Sequence, residues 1–536
     1  MRIISSNTLL TIVWIHVSLT ILMSALSFVS LGNAGVNVIT QDPFFLYNDI
    51  IYMGSIVIAT LTIISLIYIG NISYYVVIPL FILWLLILTA PYMVYIESLP
   101  LYNDQLGFVA EALKGVLYEH ITSLQGELSS LGHAYFTAVF IKICNLDPLW
   151  GVVVVQLMLP IIYVLPLLMI RCASFHDKVL ITLTVLAVML NPIFYSRSSF
   201  AWIYLIFFTV YLYNKYREGA LNIPVLATLM LIYIAFVVSH PTSLIVPIML
   251  FVLAFFDKRL RLIALLSIVT WFTVNLTMYI SGSLYSLIVQ LMAIIEHPAN
   301  PLPLLIAPPV TPVMKFYNYL RELTVFLGYL IGLIASTTLI LRFLRGDRDK
   351  KGHSWIILYF TLVILQVVNL MMNRWGMVPY HIYVFTVLPI LISITAGSRT
   401  IKLLILSIII ILLMISPITK WGFSAIAFPT LKDIVEITFI SRHVVPGMIM
   451  CGSGAHVMLW FYYWLYNVSA SPMSIEPLPT ITVQRVSTCD YIAVFYRSFN
   501  IHRLGISEGL LMEAIMEFDN RYSVIYKNEV WTIWLR

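Results

Sequence analysis

The chain has 536 residues, of which 61% are hydrophobic and only 10% are charged, and its mean hydropathy is +0.97. A soluble protein covers its surface with about 25% charged residues, so this composition excludes that class and predicts a helical membrane protein. The formal net charge of +6 comes from basic residues in short loops, which indicates membrane topology and gives no reason to predict a nucleic-acid partner.

Apolar runs near the length of a bilayer-spanning helix recur through most of the chain. A bilayer core about 30 Å thick needs about 20 apolar residues in a helix, and thirteen apolar runs are predicted to cross it. The predicted spans are 8–30, 50–70, 75–96, 151–170, 179–195, 200–213, 222–238, 241–256, 262–282, 323–342, 354–371, 380–396 and 402–418. The first run is too long for the apolar region of a cleavable signal peptide.

Lysines and arginines in the short loops predict the orientation. With the N-terminus in the cytoplasm, nearly every short basic loop falls on the cytoplasmic side: Arg171/Lys178, Lys215/Arg217, Lys258/Arg259/Arg261, 342–352 and Arg399/Lys402. The longer segments 97–150, 283–322 and 419–536 then lie outside. We therefore expect a transmembrane domain over 1–418 and an extracytoplasmic C-terminal domain over 419–536, in a multi-pass protein of the cell membrane.

The tetrapeptide LYND occurs twice and places Asp49 and Asp104 at predicted membrane boundaries. Asp49 runs directly into the next span, which is typical of an interfacial residue. Asp104 opens a longer loop in which Leu106, Val109, Ala110, Leu113, Val116 and Leu117 recur at helical spacing, and a second helical segment follows at 130–145. Asp104 is either a helix N-cap or a catalytic base, and its spacing alone does not decide between the two.

The C-terminal segment has the pattern of a small α/β domain. Strands are predicted at 446–454 and 490–498, an amphipathic helix at 507–518, and a hairpin at 522–535 that turns at Lys527–Asn528. The GSG at 452–454 is interpreted as an ordinary strand-to-helix turn, because a lone GxG is a weak phosphate-loop signal. A disulfide between Cys451 and Cys489 stays open, and no Cys/His spacing indicates a metal site.

The order of these segments resembles the C-type (GT-C fold) membrane glycosyltransferases, especially archaeal ones. The similar segments are "LPLYNDQLGFVAEALKGVLYE", "LSSLGHAYFTAVFIKICNLDPLWGV", "NPIFYSRSSFAWIYLIFF", "VVSHPTSLIVPIML", "NRWGMVPYHIYVF" and "FDNRYSVIYKNEVWTIWL". The resemblance implies a transferase that moves a sugar from a polyprenyl (dolichyl) phosphate to a glycan, lipid or protein acceptor on the extracytoplasmic face. It implies no metal and no other cofactor.

This sequence departs from the family pattern in three ways. The acidic loop follows the third predicted span, whereas in the family it commonly follows the first, so Asp49 is the counterpart if 8–30 is the family's first span. We prefer Asp104, because only its loop carries two surface helices. The frequent second acid is absent, since Gln105 follows Asp104. The WWDYG motif and acidic metal pair of the oligosaccharyltransferase branch are also absent, which argues against block transfer to protein asparagine.

The resemblance and the chemistry together nominate the site residues. Asp104 is the candidate general base, because an acceptor hydroxyl must lose a proton. The leaving lipid phosphate needs fixed cations, and the predicted outer face offers Arg374, Arg197, Arg321 and Lys315. His240, His133 and Glu97 are further candidates on that face. For Arg374 the competing interpretation is a membrane anchor whose side chain reaches lipid headgroups.

Two alternatives belong to other classes: a lipid or glycolipid transporter or flippase, and a membrane scaffold that presents the C-terminal domain. Transporters commonly carry ionisable residues at mid-membrane and internal repeats. In this chain His16 is the one ionisable residue well inside a predicted span. The two LYND copies have different flanking sequences, so they do not indicate an internal repeat. A charged outer loop with helices favours an enzyme over a scaffold.

Overall fold

The structure is a computed structural model, and it describes part of the chain. Residues 197–278 are described without a gap, together with 50–69, 132–146, 148–170, 175–189, 312–345, 350–371, 383–393 and 399–427. Short strands are described after residue 449, and isolated positions elsewhere. All structural statements below refer to these residues.

The described part of the first 427 residues is helical. The helices are α1 (Ile50–Ile69), α2 (Gly132–Cys144), α3 (Pro148–Leu168), α4 (Phe175–Met189), α5 (Arg197–Glu218), α6 (Ile223–Ser239), α7 (Ile245–Ala254), α8 (Arg261–Met278), α9 (Pro312–Leu344), α10 (Lys350–Met371), α11 (Leu388–Ser393) and α12 (Arg399–Ala427). Short 3₁₀ turns at Pro241–Leu244 and Lys258–Leu260 flank α7, and a π-helical turn at Tyr383–Val387 leads into α11.

Most predicted spans that fall on described residues coincide with a helix, although helix ends and lengths differ, in three places notably. The helix α9 begins at Pro312, so Lys315 and Arg321, which fall in the predicted outer loop 283–322, lie on the first three turns of a 33-residue helix. The helix α12 continues to Ala427, beyond the domain boundary at 418. The predicted span 241–256 contains a helix of only 10 residues, about 15 Å long, preceded by the 3₁₀ turn.

The outer surface of the bundle is strongly apolar. Within the described residues, one helical segment, Glu322–Leu344, is both long enough and apolar enough to cross a bilayer. Several shorter apolar helices accompany it. Large side chains such as Leu231, Phe251, Leu262, Phe326 and Leu333 are more than half exposed. Exposed apolar surface on this scale is unfavourable in water and fits contact with lipid acyl chains.

The basic loops meet at one end of the bundle, here called the basic end. Arg259 donates to the carbonyl of Gly219 at 3.0 Å, and Lys351 donates to the carbonyl of Arg217 at 2.9 Å, so the C-terminus of α5 contacts the loop before α8 and the start of α10. Lys402 forms an ion pair with Asp177 at 2.5 Å, which joins the starts of α12 and α4. The loops that the charge pattern assigned to one side therefore lie together.

The turn after α5 is built for these contacts. Gly219 has φ +72°, and the N–H of Ala220 bonds to the carbonyl of Lys215 at 3.0 Å, which is a Schellman closure of the helix. Asp257 accepts hydrogen bonds from the guanidinium of Arg259 at 2.6 to 3.2 Å. These bonds hold the pKa of Asp257 below its ordinary value and raise that of Arg259, against the opposing effect of burial. Asp257 therefore stays ionised and fixes the arginine that reaches Gly219.

At the centre of the bundle, α9 packs directly on the π-helical turn. Gly332 is buried, and a Cβ at this position would overlap the carbonyl oxygen of Phe385 and lie 3.2 Å from the Cα of Thr386. Tyr383, in the same turn, bonds to Thr209 of α5 at 2.5 Å. A glycine on α9 thus lets two backbones approach, and the π turn directs Tyr383 to α5.

The C-terminal segment forms a five-stranded mixed sheet. Its strands are β1 (Met450–Ser453), β2 (Ile475–Pro477), β3 (Tyr491–Phe495), β4 (Ser523–Lys527) and β5 (Trp531–Leu535), in the order β2-β1-β3-β5-β4. The interior strand β1 pairs in parallel with β2 and β3, whereas β5 is antiparallel to β3 and β4. The two predicted strands and the closing hairpin are confirmed. Most of the predicted helix at 507–518 lies outside the described residues, as does Cys489.

Candidate functional site

Several predicted site residues lie at the end of the bundle opposite the basic end. Arg197 begins α5, whose C-terminus is at the basic end, so the two ends are separated by about 30 Å of helix. Lys315 and Arg321 lie near the start of α9, and the C-terminus of α9 reaches the basic end, where Phe343 contacts the ring of His353 at 5.6 Å. The structure describes the backbones of these three residues but not their side chains.

Four other residues that the sequence singled out lie outside the described residues: Asp104, Glu97, Arg374 and Asp49. Their predicted roles stay predictions. Two positions of the segment after Asp104 are described, and both are helical: Ala112 is fully buried, and Val116 packs on the bundle core. They are four residues apart and so share a helix face, which agrees with a helix in this loop.

The second predicted loop helix is present as α2. Its residues Ala134, Ala138 and Ile141 are buried, whereas Tyr135, Val139 and Ile143 are exposed at helical spacing. One face packs on α3, α5 and α6, and the other presents an apolar stripe. This arrangement suits a helix lying between protein and lipid.

His133 is buried where α2 crosses the end of α6. A Cβ on the preceding residue, Gly132, would overlap the side chain of Ser239 and lie 3.0 Å from its Cα, so glycine permits this close crossing. The ring of His133 lies 6.3 Å from that of Phe200, which is one turn after Arg197 on α5. The structure therefore brings the starts of α2 and α5 to the C-terminal end of α6.

His240 stands where the helix breaks after α6. Its Nδ1 accepts the backbone N–H of Thr242 at 3.3 Å and also contacts the hydroxyl of Thr242, so it caps the 3₁₀ turn. An accepting Nδ1 requires the neutral imidazole with its proton on Nε2. Pro241 occupies the first position of the turn, where its missing N–H costs nothing. The predicted candidate His240 thus has a local structural role.

Buried polar atoms without a hydrogen-bond partner among the described residues are not confined to one end of the bundle. Nε1 of Trp355 lies near the basic end, and three others lie elsewhere: the hydroxyl of Ser243, Oδ1 of Asn275 and Nε2 of Gln156. Ser243 is 0% exposed and Asn275 is 1% exposed. A buried polar group left unpaired costs about 1–3 kcal/mol, so each of these positions is unfavourable unless something occupies it. Sequence reasoning missed all three, because a single serine or amide in an apolar run carries no periodic signal.

Asn275 is one of three N-glycosylation sequons, with Asn71 and Asn467. Its Nδ2, the atom that would carry a glycan, donates to the carbonyl of Trp271 at 2.9 Å inside α8. Because Asn275 is buried, we expect it to carry no glycan. Asn71 and Asn467 lie outside the described residues.

The GSG segment lies at the carboxyl end of a central parallel strand. Gly452 and Ser453 are the last residues of β1, opposite Ala493 and Val494 of β3. The first two positions of the segment are thus strand residues. Elsewhere in the described part, no three His, Cys, Asp or Glu side chains come together as a group that could hold a metal ion.

No family model and no curated protein sequence matches this chain. Among solved structures, it is similar to the crystal structure of ArnT from Cupriavidus metallidurans bound to undecaprenyl phosphate. The two are 11% identical, the match covers 86% of this chain and 98% of the other, and the TM-score is 0.42. Similarity at this level assigns neither a family nor an activity to this chain.

Proposed function

We propose that this protein is a membrane glycosyltransferase that moves a sugar from a polyprenyl phosphate, of the dolichyl type, to an acceptor at the extracytoplasmic face. The acceptor is a glycan, a lipid or a protein. The end of the bundle opposite the basic end is the proposed reaction site, and Asp104 is the proposed general base. The proposed donor, a dolichyl phosphate sugar, follows from the resemblance of the sequence to archaeal GT-C glycosyltransferases.

One observation supports the proposal best. The helix starts that carry Arg197, Lys315 and Arg321 lie at the same end of the bundle as the α2–α6 crossing, with its buried histidine. A lipid phosphate at headgroup depth needs cations at that end, and a sugar needs neutral hydrogen-bonding groups near them. The opposite end holds its basic residues in structural contacts such as Arg259 to Gly219.

The proposed reaction needs a base and a cation but no metal step. Asp104 takes the proton of the acceptor hydroxyl as the acceptor oxygen bonds to the anomeric carbon of the sugar. The bond between that carbon and the lipid phosphate oxygen breaks, and the lipid phosphate leaves with the electron pair. The phosphate gains negative charge as it leaves, so a fixed guanidinium stabilises the transition state more than the bound donor. Arg374, Arg197, Arg321 and Lys315 are the proposed cations, and Arg is suited to phosphate through its planar fork.

Asp104→Asn tests the proposed base. Asparagine keeps the size of the side chain and its capacity to cap a helix, but it cannot accept the proton. We expect the rate of transfer to fall by about 10²–10⁴, with donor binding and Tm unchanged. Purified protein, dolichyl phosphate sugars and a membrane extract that supplies the acceptor provide the assay.

Asp49→Asn is the matched control, since it removes the other LYND carboxylate. We expect this variant to keep nearly full activity. If Asp49→Asn were inactive and Asp104→Asn active, Asp49 would be the base and the first loop would be the reaction loop. If neither substitution changed the rate of transfer, or if wild-type protein transferred no sugar, the proposed mechanism would be wrong.

A further inference from the structure

The break between α6 and α7 creates a polar corner inside an apolar bundle. We define the polar corner as Ser239, His240, Thr242 and Ser243 at the break, with Asn275 on α8. The 3₁₀ turn of the break packs on α8 as well as on α6 and α7. Irregular backbone at membrane depth is stable only where protein or a polar cavity surrounds it.

The level of Asn275 in the bundle matches that of the break. The hydroxyl of Tyr233 on α6 donates to the carbonyl of Ser267 on α8 at 3.0 Å, which aligns the two helices. Both helices start at the basic end, so they run in the same direction. Asn275 lies roughly two turns beyond Ser267, and the break lies roughly two turns beyond Tyr233.

Two buried groups at this level have unused hydrogen-bonding capacity among the described residues. Oδ1 of Asn275 is an unused acceptor, because its Nδ2 is already bonded to Trp271. The hydroxyl of Ser243 is unused as donor and as acceptor. Neighbouring polar groups at the break are satisfied locally: Ser239 donates to Ala235 at 2.7 Å, and Thr242 contacts His240. At the level of the break, the unused capacity therefore belongs to Ser243 and Asn275.

The chemistry of the polar corner is neutral. Its side chains are hydroxyls, an amide and a neutral imidazole, and none of them is a carboxylate, lysine or arginine. An anion would gain no charge partner from these groups. A hydroxyl-bearing neutral group would satisfy both, donating to Asn275 and either donating to or accepting from Ser243.

We infer that the polar corner binds hydroxyl groups of the sugar carried by the lipid donor, through Ser243 and Asn275. This inference rests on the proposed function, which places the donor at this end of the bundle. Sites that hydrogen-bond a substrate hydroxyl discriminate strongly against ligands that lack it, because their buried groups are then unpaired. The polar corner would therefore select the sugar-bearing donor over the lipid product.

The test compares binding of dolichyl phosphate, dolichyl phosphate mannose and dolichyl phosphate glucose to purified full-length protein. We expect wild-type protein to bind at least one sugar-bearing lipid more tightly than dolichyl phosphate. Ser243→Ala and Asn275→Leu should each weaken binding of that lipid about tenfold and leave the Kd of dolichyl phosphate unchanged. Ser267→Ala is the control, since Ser267 is equally buried on α8 but bonds to its own helix at Ala264.

The Tm of the ligand-free variants separates a binding role from a structural one. If Ser243 and Asn275 are reserved for a ligand, Ser243→Ala and Asn275→Leu should keep or raise the Tm, because each removes an unpaired buried group. A clear fall in Tm for both variants, or unchanged binding of the sugar-bearing lipid, overturns the inference. If wild-type protein binds all three lipids equally, the inference is overturned but the proposed function is not. If wild-type protein binds none of the three lipids, both the inference and the proposed function are overturned.

Discussion

At the scale of single residues, the proposal depends most on one arginine. Arg374 lies in "NRWGMVP", just before the π-helical turn, and Gly376 and Pro379 make an uninterrupted lipid-facing helix unfavourable there. A phosphate ligand needs the planar guanidinium, whereas a membrane anchor needs only a long cationic side chain. Arg374 is outside the described residues, so this distinction is a prediction that substitution must test.

We expect Arg374→Lys to lose most of the activity and Arg374→Ala to lose both donor binding and turnover. A lysine ammonium cannot form the paired hydrogen bonds of a guanidinium to phosphate. Donor Kd and transfer rate, measured on the same preparations, provide the check. Arg342→Lys is a suitable control, because Arg342 lies in the last turn of α9, at the basic end of the bundle, and belongs to the basic loops. Wild-type values for Arg374→Lys would identify the residue as a membrane anchor.

The residues that sequence reasoning found and missed differ in the kind of signal they carry. Arg197, His133 and His240 stand out as polar residues in apolar surroundings, and the structure gathers their backbones at one end of the bundle. Ser243 and Asn275 have no such contrast, since each is a single uncharged residue in an apolar run and carries no periodic signal. Their importance arises from missing hydrogen-bond partners, which only a three-dimensional arrangement reveals.

At the scale of elements, hydropathy located helices but not their ends or irregularities. The start of α9 carries Lys315, Arg321 and Glu322, so a window that measures apolarity places the boundary at 323, whereas the helix begins at Pro312. The strand β2 was missed because it is short and ends in Pro477, which is typical of an edge strand. The π turn depends on packing against a distant helix, which a local pattern cannot specify.

The contact between Gly332 and the π turn gives a sharp prediction for one element. We expect Gly332→Ala to destabilise the protein by about 1–3 kcal/mol, because the added methyl group meets backbone atoms that cannot rotate away. The control is Gly54→Ala on α1, where a Cβ would meet only the flexible end of Met23 at 3.4 Å. Thermal unfolding of both variants in detergent measures the effect. An unchanged Tm for Gly332→Ala would show that α9 and the π turn separate easily.

At the scale of the whole molecule, the contacts at the basic end turn a statistical charge pattern into a physical arrangement. Loops separated by more than a hundred residues meet there, as Arg217 and Lys351 do. Lys and Arg in short loops favour the cytoplasmic side, so we expect the basic end to face the cytoplasm. The opposite end, with the polar corner and the proposed reaction site, is then extracytoplasmic.

The last prediction tests this orientation. In a chain without its native cysteines, single cysteines at residues 348 and 520 should react with an impermeant reagent from opposite sides of intact cells. Residue 520 should be labelled before permeabilisation and residue 348 only after it, because 348 lies in a basic loop and 520 in the predicted extracytoplasmic domain. A chain that keeps only Cys144, which is exposed on α2, marks the outer side independently. Labelling of 348 and 520 from the same side would contradict the topology, and with it the placement of the sugar donor at the polar corner.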